Sequence, residues 1–227
     1  LLFLDHDNAR LDEVQRDRYR SIGLVPGAFK SIEVYAPPRP GDPIAAPDVA
    51  TRSQGVFSFY WTLADFVEGD LLPFAFADAE DDRQQYTMVV HNVAAALHRN
   101  GERADDGAWR IVGGAVLRTY RDLVDFIVAK VTDDLTRPEW AGSATGLGTI
   151  NAFVRRLLSS QRSLERVVRA DIPERPRHRI ETDGAQVTVV DLHNLPDRAK
   201  RFVVGVTLRG AFERKEQTGS AKPLLFV

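Results

Sequence analysis

Cysteine is missing altogether from these 227 residues. Its absence excludes a disulfide framework, thiolate metal sites and a Cys nucleophile, and it fits a reducing, cytoplasmic setting. No apolar run approaches the roughly 20 residues of a membrane-spanning helix, so no membrane partner is expected. A large excess of one charge is missing too. The net charge of -2 argues against a wholly basic nucleic-acid binder, though not against a local basic face. The phosphate-cradling motif, Gly, four residues, then Gly-Lys-Ser or Gly-Lys-Thr, does not occur. "GSATGLGT" (Gly142 to Thr149) has no Lys and follows no strand, so it reads as a flexible loop with Thr145 or Thr149 near a helix start. "GSAK" (Gly219 to Lys222) precedes a strand, the wrong order for that motif. His91 and His98 lie seven apart rather than at the i, i+4 spacing that chelates a metal, and no metal site is assigned.

What is present is close to globular average, with 44% hydrophobic and 27% charged residues. Such a chain is long enough for one sizeable core or a core plus a subdomain. "ARLDEVQRDRYRSIG" is a charged helix candidate closed by Gly23. "SIEVYA" (Ser31 to Ala36) alternates like a strand, and "GVFSFYW" reads as a second, aromatic one. Between them "PPRPGDPIAAPD" holds five prolines in twelve residues and must be an irregular surface loop. From about Thr62 to Ala170 the spacing turns helical: "DDRQQYTMVVHNVAAALHRN", "RTYRDLVDFIVAKV" and "TINAFVRRLLSSQRSLERVVRA" predict three successive helices.

The last part is the most legible. "QVTVVDL" (Gln186 to Leu192) is a β-branched run of the kind buried on both faces of a parallel sheet. A long helix follows, with Asn194 or Asp197 able to cap it, Pro196 suited to its first turn and Gly219 stopping it. Ala199, Phe202, Val203, Val206, Gly210 and Phe212 give it a broad apolar face. "KPLLFV" (Lys222 to Val227) then reads as a second parallel strand, completing a βαβ unit. The expected class is α/β. Residues 1–61 and 180–227 would form the sheet-bearing core, with 62–179 as an inserted helical subdomain.

In open α/β sheets ligands bind beyond the carboxyl ends of the strands. Asp191 ends the first strand of that unit, so it is a candidate either for a polar or metal-linked role near a nucleotide or for capping the next loop. The acidic run Asp78, Glu80, Asp81, Asp82 suggests a cation site, or simply carboxylates opening a helix. Charge is segregated. From Asp65 to Asp82 there are seven acids and no Lys or Arg, whereas Arg155 to Arg179 holds eight arginines. Arg155, Arg162, Arg166 and Arg169 would share one helical face, with Arg177 and Arg179 beyond it. Such a stripe could hold a phosphate backbone, dock on the acidic segment of the same or a neighbouring subunit, or serve as a solvated face.

"VTVVDLHNLPDRAKRFVVGVTLRGAFERKEQTGSAKPLLFV" resembles the stretch of HerA/FtsK-type P-loop ATPases that runs into the Walker B strand. "LLFLDHDNARLDEVQRDRYRSIGL" looks like their segment after the Walker A helix, and "FADAEDDRQQYTMVVHNV" like the helical insertion of HerA-like ATP-binding proteins. The resemblance implies an incomplete P-loop NTPase-like parallel sheet, ATP and Mg²⁺ as cofactors, DNA as a partner, a homo-oligomeric ring and a nuclease partner. It places Walker A upstream of Leu1 and the Walker B carboxylates downstream of Val227. Leu1 without an initiator Met and the apolar ending "KPLLFV" fit a piece cut from something larger. Only Asp191 matches a recurrent family position.

Overall fold

The computed structural model describes residues 2, 4–6, 11–76, 84–172, 177–219 and 224–226. Among them, six α-helices and six short strands follow one another. Helix α1 (Glu13–Ser21) opens on a capping box: the Asp12 side chain accepts from the Gln15 N–H while Gln15 reaches back. It buries no residue. Strand β1 (Ile32–Ala36) follows, and the proline-rich loop after it is irregular, as expected. Strand β2 covers only Val56–Ser58. The aromatic residues after it leave the ladder because the Tyr60 and Trp61 N–H groups bond to the His178 and Val167 carbonyls instead.

Helix α2 (Leu63–Glu68) and a 3-10 segment (Leu72–Phe76) lead into the helical region. There, α3 (Gln84–Arg99), α4 (Tyr120–Thr132) and α5 (Leu147–Leu164) are the three expected helices. Between α3 and α4 lies an antiparallel sheet of β3 (Gly101–Arg103), β4 (Trp109–Ile111) and β5 (Val116–Leu117) that the helical spacing did not indicate. Helix α5 ends at Leu164, six residues before the expected Ala170. The chain turns extended there because Val168 bridges to Trp61 and Arg169 to Thr119, tying the helical region to the segment after β2.

Strand β6 (Val187–Val190) pairs in parallel with β1, giving the sheet order β2-β1-β6. The register sets Ala36 opposite Ser58 and Tyr35 opposite Val190. The chain is thus mixed α/β with a small three-stranded parallel sheet. Two expectations need correction. All four residues of β6 are half-buried rather than buried on both faces, because β6 is an edge strand. Leu224–Phe226 form no strand and are exposed, so β6 and α6 (Asp197–Thr218) do not complete a βαβ unit among the described residues. Lys222, Pro223 and Val227 lie outside those residues, as does the acidic run from Asp78 to Asp82. Gly219 stops α6 in the left-handed conformation (φ 59°), where a side chain would be strained.

One hydrophobic cluster joins residues from both sides of positions 62 and 180: Tyr35 of β1, Leu97 of α3, Phe153 of α5 and Phe202 of α6 all belong to it. Phe202 is fully buried and meets the Trp61 ring edge-on at 5.3 Å and the Phe66 ring stacked at 6.1 Å. Phe212, expected on the same apolar face, is exposed. Phe202→Ala should therefore destabilise the protein by about 3–5 kcal/mol, read as a lower urea midpoint. Phe212→Ala should leave that midpoint nearly unchanged.

Candidate functional site at the carboxyl edge of the parallel sheet

Three parallel strands point their carboxyl ends the same way, so the loops after β1, β2 and β6 share one edge. Asp191 directly follows β6, and its N–H donates to the Tyr35 carbonyl at 2.7 Å, extending the ladder by one rung. Its Oδ1 accepts from the His193 N–H at 3.1 Å and lies 2.6 Å from His193 Nδ1. The carboxylate thus closes an Asx turn, the capping role foreseen for it. It also orients an imidazole. With Nδ1–H donated to Asp191, the other ring nitrogen is the basic one. The His193 side chain is 65% exposed, and that nitrogen has no partner among the described residues.

Arg166 ties this edge together. Its Nε donates to the Pro38 carbonyl at 2.6 Å, Nη1 to the Asn194 carbonyl at 2.8 Å and Nη2 to Asp48 Oδ2 at 2.5 Å. Asn194 Nδ2 donates to the same Asp48 oxygen at 3.0 Å. Loops after β1 and β6 are thereby clamped by one guanidinium. Ser58, the last residue of β2, is buried, and its hydroxyl has no hydrogen-bond partner. The edge therefore offers a His–Asp pair able to move a proton and an unpartnered buried hydroxyl.

The other arginines divide into two groups. Arg155 and Arg162 are exposed on α5 with Leu158 between them, and neither has an ion-pair partner among the described residues. Arg166 and Arg169 lie beyond the end of α5, so the four do not share one helical face. Arg169 forms a bidentate pair with Asp171 at 2.8 and 2.9 Å. Arg177 donates to Glu33 at 2.6 Å and to Glu181 at 3.1 Å, and its guanidinium lies over the Phe57 ring at 4.1 Å.

Arg179 bonds to Asp65 of the acidic segment within the same chain. Asp65 is the third residue of α2, in a capping box with Thr62, and its side chain is only 2% exposed. Arg103 Nη2 donates to it at 2.8 Å. His178 Nε2 donates at 2.9 Å, the His178 ring being stacked on Tyr60 with centroids 4.9 Å apart. Burial alone would push the Asp65 carboxyl up. The contacts from His178, Arg103 and Arg179 outweigh that and hold it well below the usual carboxylate range. The pair between Arg179 and Asp65 fits the expected alternative of arginines docking on the acidic segment of the same subunit, whereas Arg103 and His178 were not foreseen as parts of this hub. Its one local signal is the T-L-A-D spacing of the capping box.

Arg166 is neutralised by Asp48, and among the described residues no group of three or more His, Asp or Glu gathers where a metal ion could sit. No helix among them is long and apolar enough to cross a membrane. No protein-family model matches this chain, and no curated protein matches it in sequence.

Asp65→Asn should cost about 1–3 kcal/mol, chiefly by weakening the hydrogen bonds of the buried His178 and the part-exposed Arg103. Arg179→Gln, with its side chain 59% exposed, should cost under about 1 kcal/mol. Because the folded carboxyl is depressed, its contribution is complete above the unfolded value of about 4 and is lost as pH falls below it. Urea midpoints followed from neutral to acidic pH should show that loss in the parent protein and not in Asp65→Asn.

Proposed function

We propose that this chain is part of a HerA/FtsK-type P-loop ATPase that couples ATP hydrolysis to DNA movement or processing. The observation that carries this reading is the parallel sheet whose carboxyl edge gathers Asp191, His193 and Arg166, followed directly by the long helix α6. In open α/β sheets that edge is where a nucleotide sits. The resemblance of residues 187–227 to the stretch before a Walker B strand points the same way. Phosphate and metal ligands come from outside these residues in this reading. The described residues supply one wall of the site: Asp191 orients the His193 ring, and Arg166 holds the two loops that flank it. ATP and Mg²⁺ belong to the whole protein, which works as a homo-oligomeric ring with a nuclease partner, and DNA contacts fall to Arg155 and Arg162.

The full-length protein is expected to hydrolyse ATP with Mg²⁺, and His193→Gln to lower its turnover roughly 10²-fold, the scale of a general acid–base contribution. The 227 residues alone are expected to show no tight Mg²⁺-dependent ATP binding. Tight binding by this chain alone, or absence of ATP hydrolysis by the full-length protein, would overturn the reading.

A second reading is a non-enzymatic helical interaction module on an α/β base that docks through its Arg-rich face, here narrowed to Arg155 and Arg162. Four of the six candidate arginines are committed to internal carboxylates. Helix α6 also exposes Val204 and Phe212 to solvent. Salt separates the two. DNA binding through Arg155 and Arg162 should weaken with salt concentration by a log–log slope of about 0.9 per phosphate contacted, and it should vanish when both become Glu. Undetectable DNA affinity at low salt, with a protein partner retained, favours the docking module.

A further inference from the structure

Away from the sheet edge, a cleft of about 390 Å³ opens between α2 and α6. That volume falls within the range of about 300–1,000 Å³ typical of small-molecule sites. Trp61, Leu71, Ile180 and Val206 make its apolar side. On α6, Thr207, Gly210 and Arg214 fall on one stripe facing it, spaced three and four residues apart.

Two features of that stripe lack a folding rationale. The Thr207 hydroxyl oxygen is buried and has no hydrogen-bond partner, an arrangement that costs stability unless something fills it. Gly210 sits inside a helix, where glycine is a poor choice, yet a Cβ there would meet nothing within 4 Å. Gly205, one turn earlier, shows the contrast. A Cβ at that position would come within 2.8 Å of the Phe74 ring, so packing accounts for it. Packing does not account for Gly210, which leaves the cleft wall bare.

Three carboxylates, Asp65, Glu68 and Glu213, and three arginines, Arg179, Arg209 and Arg214, line the cleft, and they are unequally paired. Asp65 and Glu68 are both met by Arg103, and Asp65 also by Arg179. Arg209 donates to the Gly69 carbonyl and pairs with Glu213 at 3.2 Å. Arg214 is held loosely, with Nη2 3.3 Å from the Ile180 carbonyl and Nη1 4.0 Å from Asp183, a side chain 72% exposed. Its guanidinium is the one whose remaining donors are least committed.

We propose that this cleft binds a small organic anion, with its acidic group on Arg214, a polar atom on the Thr207 hydroxyl and a short apolar or aromatic body against Trp61 and Ile180 over Gly210. Charge-assisted hydrogen bonds hold the acidic end, and burial of the body excludes water from them. The site is separate from the sheet edge and does not depend on nucleotide chemistry there.

The test uses anilinonaphthalene sulfonate, an aromatic anion, and its uncharged counterpart N-phenylnaphthylamine, both titrated by fluorescence into the folded chain. The anion should bind at least about tenfold more tightly than the neutral probe. Arg214→Gln should remove that difference. Gly210→Leu should weaken both probes by filling the cleft. Its thermal midpoint should hold or rise, since leucine is the better helix former and meets open space. Phe212→Ala, an exposed ring outside the cleft, should change nothing. Equal affinity for the two probes, or anion binding that survives both Arg214→Gln and Gly210→Leu, would overturn the proposal. So would anion binding that is lost in Phe212→Ala.

Discussion

A carboxylate with almost no access to water must be matched by cations and donors, and in this protein they come from two distant segments of the chain. Asp65 draws Arg103 from the first strand of the antiparallel sheet, and His178 and Arg179 from the segment before β6, onto the start of α2. Taking such a charge out of water costs several kcal/mol unless every partner is in place. The requirement therefore acts as a geometric constraint. The antiparallel sheet, the cap of α2 and residues 167–172 and 177–180 are thereby tied to one another. Residues 167–172 carry the Val168 and Arg169 bridges that end α5 early, so local helix spacing gives way to a long-range tie.

The arginine-rich stretch is explained largely by the same economy of charge. Arg166, Arg169, Arg177 and Arg179 each face a carboxylate of the chain itself, and three of those carboxylates, Asp48, Glu33 and Asp65, lie more than 100 residues away. Arginine suits this work because its planar fork donates in several directions at once, as Arg166 does to two carbonyls and a carboxylate. Among the described residues of that stretch, Arg155 and Arg162 on α5 are the exposed arginines left without an ion-pair partner.

Much of this fold was legible in the sequence wherever one element repeats a single period for long enough. Helices α3, α4 and α6 and strands β1 and β6 carried their spacing openly, and Gly219 marked its stop. The antiparallel sheet did not, because strands of two or three residues cannot display alternation. The end of α5 was hidden for a different reason: Arg162 to Arg169 continue a helical spacing that hydrogen bonds to Trp61 and Arg118 override. At the sheet edge, Asp191 was visible as a strand-ending acid. His193 beside it was not singled out, since one histidine two residues on carries no pattern. The Asp65 hub depended on partners 38 and 114 residues away, a distance at which sequence shows charges but not their pairing.

The parallel sheet also sets a schedule. Ser31, just before β1, hydrogen-bonds to Gln186, just before β6, across 155 residues. During synthesis at about 5–20 residues per second, β1 emerges roughly 8–30 s before the strand that will flank it. Until β6 appears, the one described strand that can pair with β1 is the three-residue β2. Each nascent chain thus carries an unfinished strand for many seconds before its second neighbour arrives.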